Sequence, residues 1–147
     1  MTVRRLALAL ALVAPVACMA APEQHPTPAA AAPALDVAEL SASDAQSRMT
    51  SGTLTSRALT EAYLARIAAI DKAGPALNSI IELNPAAVAD AERLDGERAA
   101  GKVRGPMHGL PVLLKDNIDT EGLVNSAGSL ALADNRPAAD AFLVARL

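Results

Sequence analysis

The amino-acid sequence predicts an α/β fold, in which helices flank a sheet. Residues 110–114 (Leu-Pro-Val-Leu-Leu) form a continuous apolar run, which is typical of a strand covered on both faces. A second run at 78–83 contains the β-branched pair Ile80 and Ile81 between turn residues, which also predicts a strand. A helical pattern at 84–100 separates the two runs, so together they predict a right-handed parallel βαβ unit.

Two helices are predicted before the first strand. Ser43 and Gln46 match a capping box, so the first helix begins at Ser43, and it ends before Gly52, which can adopt the left-handed conformation. Thr55 can cap the second helix, which proline ends at Gly74-Pro75. The apolar residues of this second helix share one face: Leu59, Tyr63, Ile67 and Ile70.

Two more helices are predicted after the first strand. Asn84 is a suitable cap and Pro85 a suitable first residue for the third helix, which runs to about Ala100 and ends at Gly101. A last helix is predicted to begin near Pro137, with three large apolar residues on one side: Phe142, Leu143 and Leu147.

The N-terminal residues have the pattern of an export signal. Two arginines precede an apolar segment at 6–16 that is too short to span a bilayer, and small residues follow it. Residues 1–21 are therefore predicted to be a signal peptide. Residues 22–34 are rich in Pro and Ala and are predicted to be a flexible linker. The folded part, residues 35–147, is expected to be exported to the periplasm or secreted, with no stable membrane span after cleavage.

Composition and charge exclude several classes of function. The 147 residues carry a formal net charge of −3 and their basic residues are scattered, unlike the basic surface that nucleic acid binding requires. Cys18 is the single cysteine, and His25 and His108 are far apart, so no cluster has metal-ligand spacing. The sequence therefore predicts no nucleic-acid partner, no metal and no cofactor. Lipid anchoring through Cys18 is a less favoured alternative, because Pro15 lies where such signals carry an aliphatic residue.

Lys115 is the residue best suited to chemistry. It directly follows the predicted strand at 110–114, and ligands in open α/β sheets bind beyond the carboxyl ends of strands. A lysine partly removed from water there can lose its proton and act as a general base. Asp116 and Asn117 lie beside it and are placed to orient or polarise the amine. On the residues alone, a solvated lysine without a catalytic role is the favoured interpretation.

The segment 105–117 resembles the lysine motif of the amidase signature family, G-P-L-H-G-[IV]-P-[VF]-x-[VIL]-K-D-N. Here it has the sequence G-P-M-H-G-L-P-V-L-L-K-D-N, in which the departures replace one apolar residue by another. Residues 125–129, N-S-A-G-S, are similar to the family's T-T-A-G-S. Residues 140–147 are similar to its D-A-x-x-V-x-R-L helix, and the resemblance extends over about residues 35–147.

The resemblance implies the N-terminal part of the amidase signature fold, a mixed sheet flanked by helices that is incomplete within these residues. It also implies amide hydrolysis: a serine attacks the carbonyl of a small-molecule amide, and a second serine on a cis peptide bond relays the proton to a lysine. Lys115 matches that lysine. The two serines belong to a glycine- and serine-rich segment, and the 147 residues contain no such segment. Ser126 and Ser129 are predicted to be supporting hydroxyls at the lysine site, not nucleophiles.

Other interpretations remain open beside the hydrolase. The chain by itself is expected to be inactive, so a non-catalytic helical binding or regulatory module and a truncated pseudo-enzyme are the alternatives. His108 is interpreted as a hydrogen-bonded structural residue in preference to a catalytic base. The pair Gly105 and Gly109 is not a phosphate loop, because it lacks the Gly-Lys-Ser/Thr ending. The sequence does not indicate an oligomeric state.

Overall fold

The computed structural model describes residues 35–147. The α-helices in this part are α1 (Ala42–Thr50), α2 (Ser56–Arg66) and α3 (Ala87–Ala99). A π-helical turn continues α2, and two short 3₁₀ turns occur near the C-terminus: Ile67–Asp71, Leu130–Leu132 and Val144–Arg146. None of the helices described is long and apolar enough to cross a membrane. The predicted signal peptide (1–21) and linker (22–34) lie outside the described residues.

Helix α1 begins two residues earlier than the sequence predicts. Ser41 is the N-cap, and its Oγ accepts a hydrogen bond from the Asp44 N–H at 3.0 Å, so the assignment of Ser43 was wrong. The predicted capping box does not form, because the Gln46 amide donates instead to the His108 carbonyl at 2.9 Å. Gly52 adopts the left-handed conformation, with φ 74°, as predicted for the end of α1.

The start of α2 is stabilised from two directions. Thr55 is its N-cap as predicted, and its Oγ1 accepts from the Ala58 N–H at 3.0 Å. The Asp95 carboxylate, from α3, accepts from the N–H groups of Ser56 at 2.7 Å and Arg57 at 3.0 Å. Helix α2 has no acidic residue in its first turn, so Asp95 supplies the negative charge that favours a helix N-terminus.

A small apolar core joins α1 and α2. Its buried members come from the segment before α1, from α1 itself, from the connection and from α2: Val37, Ala45, Met49, Leu54 and Leu59. Helix α2 also packs against α3. Leu110 is partly buried against the same core, so the core holds the beginning of the segment that leads to Lys115.

Helix α2 ends earlier than predicted. Its α-helical part stops at Arg66, and the π-helical turn brings Asp71 into a buried position. The Asp71 carboxylate accepts from the Ser79 N–H at 2.7 Å and from the Ser79 hydroxyl, and it pairs with the Lys72 ammonium at 3.1 Å. The hydrogen bonds from Ser79 are the main reason that the pKa of Asp71 lies well below its usual range. Asp71 therefore organises the loop between α2 and residue 80.

Neither predicted strand is paired within residues 35–147. In the segment 78–83, Asn78 donates its N–H to the Asp71 carbonyl, and Ile81 is 67% exposed. In the segment 110–114, Leu110 donates to the Met107 carbonyl, and Leu113 is 74% exposed. A strand requires an adjacent extended segment to accept its backbone hydrogen bonds, and the described residues do not supply one. The predicted βαβ unit is accordingly not formed in this part of the chain.

The boundaries of the two later helices also differ from the predictions. Helix α3 begins at Ala87 after the cap residue Ala86, because the Asn84 side chain accepts from the Ala86 N–H at 2.8 Å and holds a turn before the helix. The end of α3 agrees, since Gly101 has φ 74°. The helix predicted near Pro137 is reduced to the 3₁₀ turn at Val144–Arg146. The ring of Phe142 is 79% exposed, with the Arg146 guanidinium 5.5 Å from its centroid.

Candidate active-site segment

His108 joins α1 and α3 through hydrogen bonds on both its ring and its backbone. Its Nδ1 accepts from the Arg104 N–H at 3.3 Å, so the ring proton is on Nε2, which donates to the Leu94 carbonyl at 2.9 Å. The His108 carbonyl accepts from Gln46 at 2.9 Å and from Arg98 at 3.0 Å. The buried ring has both nitrogens occupied, which confirms the interpretation of His108 as a structural residue.

Gly109 determines how the chain leaves His108. Its φ is +79°, and a Cβ built there would lie 1.9 Å from the Ser56 Oγ and 3.1 Å from the Ser56 Cβ. Ser56 is fully buried at the start of α2, so it has little room to move. Only glycine combines the left-handed backbone with this close approach. The close approach of Gly109 to Ser56 therefore fixes the direction in which residues 110–114 lead to Lys115.

Lys115 begins a turn and is exposed. The Lys115 carbonyl accepts a hydrogen bond from the Ile118 N–H at 3.0 Å. None of the residues 35–147 forms a hydrogen bond with the Lys115 ammonium, and the residue is exposed. The expected partial removal of this lysine from water is therefore not observed in residues 35–147. The physical reason is the same as for the unpaired strands, because no described residue pairs with the segment 110–114, and residues 111–113 are exposed. The catalytic role of Lys115 stays a prediction.

Asp116 holds a second loop, and its carboxylate is bonded to that loop and not to the lysine. Its carboxylate accepts from the Ser126 hydroxyl, from the Ser126 N–H at 3.3 Å and from the Gly128 N–H at 3.2 Å. The Asp116 carbonyl accepts from the Ala127 N–H at 2.8 Å. These bonds, the one from the Ser126 hydroxyl first, keep the pKa of Asp116 below its usual value. They also hold Ala127 and Gly128 at positive φ, 48° and 72°.

Of the four predicted supporting residues, the structure therefore brings two together, Asp116 and Ser126. Asn117 is exposed, and Ser129 is exposed with its N–H bonded to the Ser126 carbonyl at 2.8 Å. No hydrogen bond joins either side chain to Lys115 within residues 35–147.

Asn125 opens the segment 125–129 recognised in the sequence but was given no role there, and it is buried at the base of the same loop. Its side-chain amide donates to the Asp119 carboxylate, and its backbone N–H donates to the Asn135 carbonyl at 2.9 Å. The Asn135 amide returns a bond to the Asn125 carbonyl at 3.0 Å. Contacts between irregular loops have no sequence period, so no pattern pointed to them. Within residues 35–147, no group of three His, Cys, Asp or Glu residues is arranged to hold a metal.

Replacing Asp116 with asparagine is expected to loosen the loop at 126–128. An asparagine side chain has one acceptor oxygen, whereas the carboxylate accepts three bonds through two oxygens. Backbone amide exchange at Ser126 and Gly128 should be faster in Asp116→Asn, and Asn117→Ala, which changes the neighbouring exposed side chain, should leave it unchanged. In the unsubstituted chain, the pKa of Asp116 is lowered in the folded state. The protection of the Ser126 and Gly128 amides from exchange should therefore be complete above about pH 4, and it should be lost as the pH falls through the folded-state pKa of Asp116. Equal exchange in both variants would show that the Asp116 carboxylate does not hold the loop at 126–128.

Comparison with known proteins identifies the family. The family model described as Amidase matches residues 58–147, which is more than half of the chain. The chain belongs to the amidase family. A putative amidase of Arthroderma benhamiae is 41% identical over 88 residues, which are 59% of this chain and 14% of that protein. A glutamyl-tRNA(Gln) amidotransferase polypeptide of Chloroflexus aurantiacus is 39% identical over 109 residues, 74% of this chain and 22% of that protein.

Solved amidase structures superpose on the described residues. The peptide amidase of Stenotrophomonas maltophilia matches with a TM-score of 0.73 and 55% identity, over 75% of this chain and 22% of that chain. An amidase family protein of Bacillus anthracis matches with a TM-score of 0.70 and 35% identity, over 74% of this chain and 22% of that chain. These neighbours are consistent with the α/β class. The chain spans less than a quarter of the length of each of these four relatives.

Proposed function

We propose that this chain is the lysine-bearing N-terminal part of an amidase that hydrolyses the C–N bond of a small-molecule amide. The observation that carries the proposal is the uninterrupted motif at 105–117, within a segment that superposes on a peptide amidase at 55% identity. The motif ends in Lys115, and its backbone path is set by the buried Gly109 contact with Ser56. A solvent-accessible amine at the end of a constrained segment is able to meet groups contributed by other parts of a longer protein.

In the proposed mechanism Lys115 is the proton acceptor. A serine nucleophile attacks the amide carbonyl while a second serine, on a cis peptide bond, passes the nucleophile's proton to the Lys115 amine. Backbone N–H groups near the nucleophile stabilise the oxyanion, the proton is returned to the leaving amine, and water hydrolyses the acyl-enzyme. Both serines would come from a glycine- and serine-rich segment, which the 147 residues do not contain. The chain alone is therefore proposed to be inactive.

The described residues would support the lysine in two ways. Asp116 joins the turn at 115–118 to the loop at 126–128 through hydrogen bonds. These bonds and the bond within the turn restrain the backbone that carries the Lys115 amine. The segments 78–83 and 110–114 are proposed to become strands of the mixed sheet when other strands pair with them. Pairing would cover the exposed side chains of Ile81 and Leu113 and reduce the exposure of Lys115 to water.

Export is a separate part of the proposal. The two arginines, the short apolar segment at 6–16 and the small residues after it support a signal peptide over residues 1–21. The protein would then act in the periplasm or outside the cell.

A chimaeric enzyme tests the hydrolase proposal. Residues 35–147 replace the matching segment of the Stenotrophomonas maltophilia peptide amidase, and hydrolysis of a peptide amide is measured. The folded chimaera is expected to be active, and the 147-residue chain alone is expected to show no hydrolysis of a simple aryl amide. A chimaera that folds but is inactive would contradict the proposal and favour a non-catalytic binding or regulatory module. Lys115-dependent hydrolysis by the chain alone would contradict the proposal that both catalytic serines come from a segment outside these 147 residues.

A further inference from the structure

A cleft of about 780 Å³ lies next to α1 and is lined by residues outside the Lys115 turn. We call it the Arg98 cleft. Helix α1 contributes Ser43, Gln46 and Met49 to its lining, the loop after α3 contributes Val103 and Met107, and Arg98 comes from α3 itself. The volume is within the range of about 300–1,000 Å³ that small-molecule sites occupy.

The guanidinium of Arg98 is bound only by neutral acceptors in the described part of the chain. Its Nη2 donates to the Gln46 Oε1 at 2.8 Å and to the His108 carbonyl at 3.0 Å. Its Nε is buried and has no hydrogen-bond partner among residues 35–147. A buried donor without an acceptor is costly, and it is more costly on a charged group. Arg98 therefore has a charge that no described acidic residue balances, whereas its buried Nε is closed to solvent and is not itself open to a ligand in the cleft.

The acidic residues close to Arg98 in α3 are already engaged. Glu97 pairs with Arg93 at 3.0 Å and with Arg104, and the Asp95 carboxylate accepts from the N-terminal amides of α2. None of the described residues that line the Arg98 cleft is acidic. The positive charge is left for a group from outside this part of the chain.

We propose that the Arg98 cleft binds a carboxylate-bearing ligand with an apolar substituent. A carboxylate fits the planar donor edge of a guanidinium and would balance the charge of Arg98. The flexible side chains of Met49 and Met107, with Val103, line the cleft and provide an apolar surface for the substituent. The carboxylate belongs either to a small organic acid or to the C-terminus of a peptide. The inferred site shares no lining residue with the turn at 115–118 and is independent of amide hydrolysis.

A pair of probes with the same aromatic substituent and different charge tests the inference on the purified chain. Phenylacetate and phenylethanol share the aromatic substituent, and ligand-observed NMR measures their dissociation constants. Phenylacetate is expected to bind with a Kd on the order of 1 mM, and about tenfold or more tighter than phenylethanol. Equal binding of the two probes, or no binding of phenylacetate, would overturn the inference.

Two matched variants locate the binding. Val103→Glu adds a carboxylate to the lining of the Arg98 cleft, at a residue that is 50% exposed, and should weaken phenylacetate binding about tenfold. Val112→Glu makes the same change outside the lining, at a residue 45% exposed, and should leave the Kd within about twofold. Equal effects in two variants with the same circular dichroism spectrum would place the binding elsewhere and refute the inference.

A second measurement separates the two sources of the carboxylate. An N-acetylated dipeptide that ends in phenylalanine with a free carboxylate is compared with phenylacetate. Tighter binding of the dipeptide would assign the Arg98 cleft to a peptide C-terminus, and equal binding would assign it to a small organic acid. Failure of both probes to respond to Val103→Glu would remove the Arg98 cleft as a carboxylate site.

Discussion

Replacing Gly109 with alanine is expected to destabilise the chain by roughly 3 kcal/mol or more. The new Cβ would lie 1.9 Å from the Ser56 Oγ and 3.1 Å from its Cβ, and Ser56 is fully buried. Rotating the hydroxyl relieves only the first contact. The backbone would also have to keep φ +79° with a side chain present. The free energy of unfolding in urea measures the effect.

Gly52→Ala is the matched control for this substitution. Gly52 has φ +74°, but nothing lies within 4 Å of the Cβ built there. The control variant should therefore lose only the backbone penalty, about 1–2 kcal/mol. A double variant, Ser56→Ala with Gly109→Ala, should recover part of the loss because the shorter contact is removed. Equal destabilisation in Gly52→Ala and Gly109→Ala would show that the contact with Ser56 has no energetic importance.

Replacing Lys115 with alanine in the chimaeric enzyme is expected to lower kcat/KM by roughly 10³-fold, the size of effect typical for a general base. The loss should be mainly in kcat, because the proposed role is in proton transfer and not in substrate binding. Lys115→Arg should be similarly inactive, since arginine keeps the positive charge but does not give up its proton in proteins. Steady-state kinetics on a peptide amide, with both variants checked for folding, measures the effect.

Lys102→Ala is the control for Lys115. Lys102 is also exposed, and it lies in the loop after α3, before the motif begins. Its removal should change kcat/KM by less than about twofold, because surface charges far from a reaction have small effects. If Lys115→Ala and Lys102→Ala had the same activity, Lys115 would not be the proton acceptor and the mechanism proposed here would be wrong.

The features that the sequence predicted correctly are local ones. Thr55 caps α2, and Gly52 and Gly101 end α1 and α3, through contacts with residues only a few positions away. Such contacts depend on the chemistry of neighbouring residues and can be recognised from spacing. The position of Lys115 at the end of an apolar segment could be recognised for the same reason. The structural character of His108 was also expected, although its partners Leu94 and Gln46 lie 14 and 62 positions away.

The features that the sequence did not predict depend on distant contacts. Ser43 was predicted to cap α1 and Ser41 caps it instead, because Gln46, the predicted partner of Ser43, bonds to His108 and not to its own helix. The strand predicted at 110–114 needs a pairing partner, and the described residues contain none. The contacts of Asp116 with Ser126 join two loops. Asp116 was placed near the lysine by its position in the sequence, and Ser126 only by the family resemblance.

The cap that Asp95 provides to α2 has a consequence for the order in which the chain is made. Asp95 lies 39 residues after Ser56, and its carboxylate accepts a hydrogen bond from the Ser56 N–H. A ribosome therefore synthesises the whole of α2 before the carboxylate that completes its first turn exists. Until α3 has emerged, the nascent helix has only Thr55 at its start. A translational pause between the codons of α2 and those of α3 would prolong this incomplete state.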